Sequence, residues 1–236
     1  MALSLSPSPV QIRCKGILFD MDGILISSIA SVERSWAKWA NLRGVNPDYA
    51  SKIAHGRRAI ETIAELRPDL DSEAELKVIE DIEVADGEGL TVLPGVLELL
   101  AALPKESWTV VTSATERLAR ARMADAGIPV PERIVTAGFV TYGKPHPEPF
   151  LAGARLLGVA PEECVVIEDS SSGVKAGRAA GCTVVATTFS HSIASLEAAH
   201  YLVKDLTGVK VTMEPSGRGL SLAFPQIAVR NQISDL

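Results

Sequence analysis

From Pro94 onward the chain alternates short apolar runs with stretches of helical spacing, and this alternation constrains its architecture more than any other feature. Val96 to Leu103 has helical spacing, Trp108 to Val111 reads as a strand, and Arg117 to Ala126 reads as a helix stopped by Gly127. A strand at Ile134 to Ala137, a helix over Pro149 to Leu157 ended by Gly158, and a strand at Cys164 to Ile167 follow. Ser172 to Ala180 is a further helix, ended by Gly181, and Thr183 to Ala186 a further strand. Strands linked by helices lie parallel, because each crossover must return along a face of the sheet. The expected fold class is therefore α/β, a parallel sheet with helices on both faces.

Upstream, Ile12 to Phe19 is an apolar run that ends in carboxylates, the pattern of one buried parallel strand followed by a polar loop. The region from Ser28 to about Gly89 differs. Val32, Trp36, Trp39 and Ala40 recur at helical spacing, as do Ile60, Ile63, Ala64 and Leu66, then Leu76, Ile79, Ile82 and Val84. The expected organisation is a discontinuous core over 10–24 and 94–236, a helical insertion over 25–93, and a loose Ser- and Pro-rich arm over 1–9. Val209 to Met213 and Leu220 to Phe224 read as a hairpin around Glu214-Pro215-Ser216-Gly217, and the residues from Gln226 carry no signal.

With 236 residues the chain can bury a real core. A net charge of −6 and the lack of a Lys/Arg block argue against nucleic acid as a partner. No apolar run approaches the ~20 residues of a membrane helix, and the first ten residues lack the basic and apolar regions of a secretory leader. Three scattered cysteines make neither a disulfide framework nor a metal motif, so the reducing cytoplasm is expected; a monomer is expected as well.

Ligands of an open parallel sheet bind at the C-terminal ends of its strands. Asp20 and Asp22, separated by Met21, point to the same side of an extended segment there. Asp20 reads as a nucleophile that attacks phosphorus to give an aspartyl-phosphate, and Asp22 as the acid, then base, that handles the proton. Gly23 lets the chain turn sharply, although a plain Asp-Gly turn has the same look. Thr112 and Ser113, at a strand end, can bind phosphoryl oxygens or cap the next helix. Lys144 can neutralise Asp20 and an incoming phosphate. Glu168 and Asp169 are adjacent acids at the end of an apolar strand and need a positive partner. Mg2+ serves beside the two aspartates, Asp169 binding directly and Glu168 through water; the alternative is charge complementing a helix N-terminus. His55-Gly56-Arg57-Arg58, between helical stretches, is either a grip on a substrate bearing phosphate or hydroxyls, or a solvated helix start.

The series Asp-x-Asp-Gly, strand-end Thr, Lys-Pro and Glu-Asp resembles the haloacid dehalogenase superfamily, specifically its magnesium-dependent phosphatases. The likeness runs over about residues 12–225. Gly143 to Pro149 and Val166 to Gly181 are similar to the branch acting on glycerol phosphate, 2-deoxyglucose phosphate and related sugar phosphates. The resemblance implies a Rossmann-like core with a small helical cap, hydrolysis of a small phosphorylated substrate, and a backbone carbonyl of Asp22 on the metal. It also makes His55 and Arg58 the match to a cap His-Gly-x-Arg. Ile24 departs from the usual Thr or Val, in an apolar position that suits either. The rival within the superfamily is a sugar phosphomutase of the beta-phosphoglucomutase type. Resembling mutases carry a histidine ten positions after the second aspartate, where this chain has Val32. A dehalogenase needs no second aspartate and no metal, and a non-enzymatic relative would lack one of these groups.

Overall fold

The computed structural model describes residues 9–214 and 219–227. The first apolar run is two strands in two sheets, not one. β1 (Val10–Cys14) alternates exposed Gln11 and Arg13 with more buried neighbours, whereas β2 (Gly16–Phe19) is buried throughout. Lys15 divides them, its N–H donating to the Glu163 carbonyl at 2.7 Å and its ammonium pairing with the Glu163 carboxylate. A charged residue that must reach solvent cannot continue a strand covered on both faces.

Next come β3 (Ile26–Ser27), the helices α1 (Ile29–Arg43), α2 (Pro47–Ala54), α3 (Ala59–Leu66) and α4 (Ser72–Ala85), and β4 (Thr91–Val92), which pairs antiparallel with β3. α2 is additional to the helices expected here. Asn46 caps it and Pro47 opens it, but only Ala50 and Ala54 are buried, too little apolar surface to leave a periodic signal. The insert has its own core of Val32, Trp36, Trp39, Ala40, Ala50, Ala54, Ile63 and Ile79.

The alternating part follows as α5 (Val96–Ala102), β5 (Trp108–Val110), α6 (Glu116–Asp125), α7 (Glu148–Leu157), β6 (Cys164–Glu168), α8 (Ser171–Ala179), β7 (Thr183–Thr187) and β8 (Tyr201–Val203). The strand expected over 134–137 is a single bridge from Val135 to Val111, because the chain turns into a 3-10 segment at Ala137–Phe139. β9 (Lys210–Met213) and β10 (Leu220–Phe224) pair antiparallel as the arms of the expected hairpin, and β10 pairs with β1. Its turn at 215–217 and arm residues 1–8 lie outside the described residues. Ile227 returns to the main sheet, its N–H donating to the Leu202 carbonyl at 2.8 Å.

The main sheet has the order β5-β2-β6-β7-β8 with every pair parallel. Its two faces follow from strand periodicity. Ile17, Phe19, Val165 and Ile167 pack with Val96 and Leu99 of α5, Met123 of α6 and Leu222 of β10. Leu18, Val166 and Val184 pack with Phe150 of α7 and Val174 of α8. Gly153 brings α7 close: a Cβ there would lie 2.8 Å from Val111 Cγ2. The chain runs to β5 on one side of β2 and to β6 on the other, so a crevice forms beyond the end of β2. Among the described residues no helix is long and apolar enough to cross a membrane.

Phe19 is fully buried and meets Trp108 edge-to-face at 5.9 Å. Phe19→Ala should lower the unfolding free energy by about 3–5 kcal/mol, read from urea unfolding at unchanged m. A loss well under 1 kcal/mol would mean that this face is not tightly packed.

Candidate active site

β2 delivers Asp20 to the crevice, its N–H held by the Ile167 carbonyl at 2.9 Å. Met21 turns into the core, fully buried, and leaves Asp20 and Asp22 on the same side. Gly23 then has φ +84°, and a Cβ there would fall 1.8 Å from Asp169 Oδ2. Only glycine lets the two strand ends come this close.

Lys144, from the loop before α7, ties the acids together. Its Nζ donates to Asp20 Oδ1 at 2.8 Å and to Glu168 Oε1 at 2.7 Å, with all three side chains buried. The other oxygen of Glu168 accepts from the N–H groups of Asp169 and Ser170, both at 2.8 Å, and from Ser170 Oγ at 2.9 Å. Ser170 also caps α8, accepting from Gly173 N–H at 3.1 Å. Asp169 accepts from Ser190 Oγ on the loop after β7.

Burial pushes the carboxyls of Asp20 and Asp169 above their ordinary range. Lys144 pulls Asp20 back while Glu168 pushes it further, and Asp169 is raised by both Glu168 and Asp20. Burial works against the Lys144 ammonium too, but Asp20 and Glu168 outweigh it and hold the lysine charged. One ammonium thus faces three acids, whose oxygens come within 4.8 Å of one another. Hard oxygen donors with excess negative charge are a set that fits a divalent cation.

Asp22 stands apart from that cluster. Its Oδ1 accepts from Ser28 Oγ at 2.6 Å and from Arg122 Nη1 at 3.0 Å, and Arg122 Nη2 reaches Glu83 Oε1 at 3.2 Å. Burial raises Glu83 to about 7, Arg122 drawing it down and Asp22 adding to the rise.

A cavity of 1160 Å³ between insert and sheet is lined by Asp20, Asp22, Thr112, Ser113, Asp169 and the His55–Arg58 turn. Lys144 lies behind Asp20, bordering a small adjoining space with Thr112 and Ser113. Thr112 Oγ1 accepts from Ala114 N–H at 3.1 Å, and Thr115, not Thr112 or Ser113, caps α6. Ser113 donates to the Gly56 carbonyl at 3.3 Å. Arg57 pairs with Glu65 at 2.8 Å, and Arg58 donates to the Thr141 carbonyl at 2.8 Å. His55 Nδ1 meets the Ser51 carbonyl, and its buried Nε2 has no hydrogen-bond partner among the described residues.

Ser28, Glu83, Arg122, Ser190 and His191 border this cavity without having been singled out from the sequence. Arg122 and Glu83 left a signal: each is a charge on the inward face of its helix, in step with Leu118 and Ala119 or with Ile79. Ser190 and His191 sit on a loop, where no periodicity marks them.

A family model described as a haloacid dehalogenase-like hydrolase matches residues 14–181. The chain is 42% identical to hexitol phosphatase A of Escherichia coli (strain K12) over 210 residues, covering 87% of this chain and 97% of that one. It is 33% identical to glycerol-1-phosphate phosphohydrolase 2 of Saccharomyces cerevisiae (strain ATCC 204508 / S288c) over 223 residues, 89% of each. The crystal structure of beta-phosphoglucomutase from Clostridium difficile superposes with a TM-score of 0.72, covering 82% of this chain and 92% of that one; at 22% identity this likeness concerns the fold alone.

Lys144→Met would leave the acid cluster without its ammonium. Unfolding in denaturant should show a loss of about 3–5 kcal/mol, the usual result of orphaning a buried charge. A variant as stable as the parent would mean that the acids do not depend on Lys144.

Proposed function

The chain belongs to the haloacid dehalogenase-like hydrolase family, and from that premise we propose a Mg2+-dependent phosphatase of small sugar or polyol phosphates that works through an aspartyl-phosphate on Asp20. The observation that carries this is the buried cluster of Asp20, Lys144, Glu168 and Asp169 opening on a cavity that the helical insert closes over. Two of its relatives are named for hexitol phosphate and glycerol-1-phosphate, and a cavity of this size suits substrates of that class. A phosphoprotein would not readily enter.

The reaction balances in two steps. Asp20, with one oxygen on Lys144, attacks phosphorus through the other, and the ester P–O bond breaks as the carboxyl proton of Asp22 passes to the departing alkoxide. The Asp22 carboxylate then takes a proton from water, whose oxygen attacks phosphorus and releases inorganic phosphate and Asp20. Thr112, Ser113 and Lys144 hold the phosphoryl oxygens. Asp20 and Asp169, with the Asp22 carbonyl and Glu168 through water, would hold Mg2+, which neutralises carboxylate and phosphate charge. His55, Arg57 and Arg58 line the substrate end, where they would meet the phosphate or hydroxyls of a substrate. Against the mutase reading, Val32 lines the cavity at the position that would have to be histidine. Three free, buried cysteines accord with a reducing cytoplasm.

A screen of glycerol, hexose and hexitol phosphates with Mg2+ should give turnover that chelator removes and Asp20→Asn abolishes. Isomerisation of a sugar 1-phosphate without phosphate release would favour the mutase. Independently of activity, Mg2+ at a hundredfold excess over Kd should stabilise the fold by about 2.7 kcal/mol, read as a rise in Tm. Asp169→Ala should abolish that rise; an equal rise in the variant would remove Asp169 from the metal site.

A further inference from the structure

We propose that Arg122 and Glu83 act together to position Asp22, so that the helical insert orients the group that protonates the leaving alkoxide. This rests on the reading of Asp22 as the general acid. Arg122 is 3% exposed on α6, and Glu83 is 6% exposed on α4 of the insert. A guanidinium buried this deeply stays only where carboxylates meet it, and its planar fork can serve two of them at once. Here one arm takes Asp22 Oδ1 and the other Glu83 Oε1.

Ser28 adds to the arrangement. It occupies the N-cap position of α1, where a hydroxyl ordinarily accepts from the helix N–H groups, yet it makes no such bond and donates to Asp22 Oδ1 instead. Both contacts therefore fall on one oxygen, and Oδ2 has no hydrogen-bond partner among the described residues. A carboxyl pinned by one oxygen presents the other in a set direction. Around this bridge the α4–α6 seam is polar: Glu80 accepts from Thr115 and Arg117, and Asp81 pairs with Arg117. Arg117 and Asp81 are half exposed, so that outer pair holds the helices weakly. The inner bridge is buried, so α4 cannot draw away from α6 without unseating Arg122 from Glu83 and loosening Asp22.

The test compares an alkyl phosphate, whose alkoxide must be protonated as it leaves, with a nitrophenyl phosphate, whose leaving group needs no proton. The readout is kcat/KM, which covers the steps up to departure of the leaving group. Arg122→Met should lower kcat/KM for the alkyl ester on the order of 100-fold, and for the aryl ester by roughly tenfold less. Glu83→Gln, which nearly preserves volume, should shift the same ratio in the same direction by about threefold or more. In an Asp22→Asn background, Arg122→Met should leave the ratio where Asp22→Asn alone sets it. Equal losses on both substrates in both single variants would overturn the proposal and leave Arg122 as packing only. If Arg122→Met does not fold, Glu83→Gln and Arg122→Lys decide by the same ratio, lysine being unable to serve both carboxylates. Should Asp22→Asn itself leave the ratio unchanged, the general-acid reading fails first, an outcome distinct from failure of the bridge.

Discussion

The acids that end β2 and β6 are arranged about one ammonium. Lys144 donates to two carboxylates from different strands, at 2.8 and 2.7 Å, where solvent reaches none of the three appreciably. Placing Asp20, Glu168 and Asp169 within a few ångströms of one another away from water is unfavourable both through desolvation and through mutual repulsion. The lysine offsets part of that, and the N–H groups and hydroxyl at the start of α8 satisfy Glu168. The remaining negative charge makes the cluster a set that fits a divalent cation.

The close approach has backbone consequences. At Gly173 a Cβ would fall 1.6 Å from Glu168 Oε1, and Gly23 bears the same relation to Asp169. Each glycine sits where a side chain would expel an acid from its place. The sheet supplies the frame, since β2 and β6 are neighbours in register, Phe19 beside Ile167, so that Asp20 and Glu168 emerge together.

The helices of the insert and the sheet have separate apolar cores and meet across the cavity through polar groups: Arg58 on the Thr141 carbonyl, Ser113 on the Gly56 carbonyl, Arg122 on Glu83. Polar contacts can be exchanged for water at little net cost, whereas each core would have to be opened to be disrupted.

Much of this was legible in the amino-acid sequence. Apolar period and glycine stops marked the alternation from Pro94 to Ala186; Asp20, Asp22, Glu168 and Asp169 stood out because charge at the end of an apolar run needs a reason, and Lys144 only through its place in the series with them. What misled was brevity and interruption. Val135 makes only one bridge, α2 buries two alanines, and the apolar run from Ile12 conceals a change of sheet at Lys15. The sequence by itself determined most of the strands and helices from Pro94 to Ala186 and which charged residues stand at the strand ends, because periodicity and turn preference act over a few neighbouring residues. Only the tertiary structure decided that Lys144 bridges Asp20 and Glu168, that Ser190 reaches Asp169, and that Arg122 joins Asp22 to Glu83. Those partners lie from 21 to 124 residues apart in the chain, and packing alone brings them within hydrogen-bonding distance.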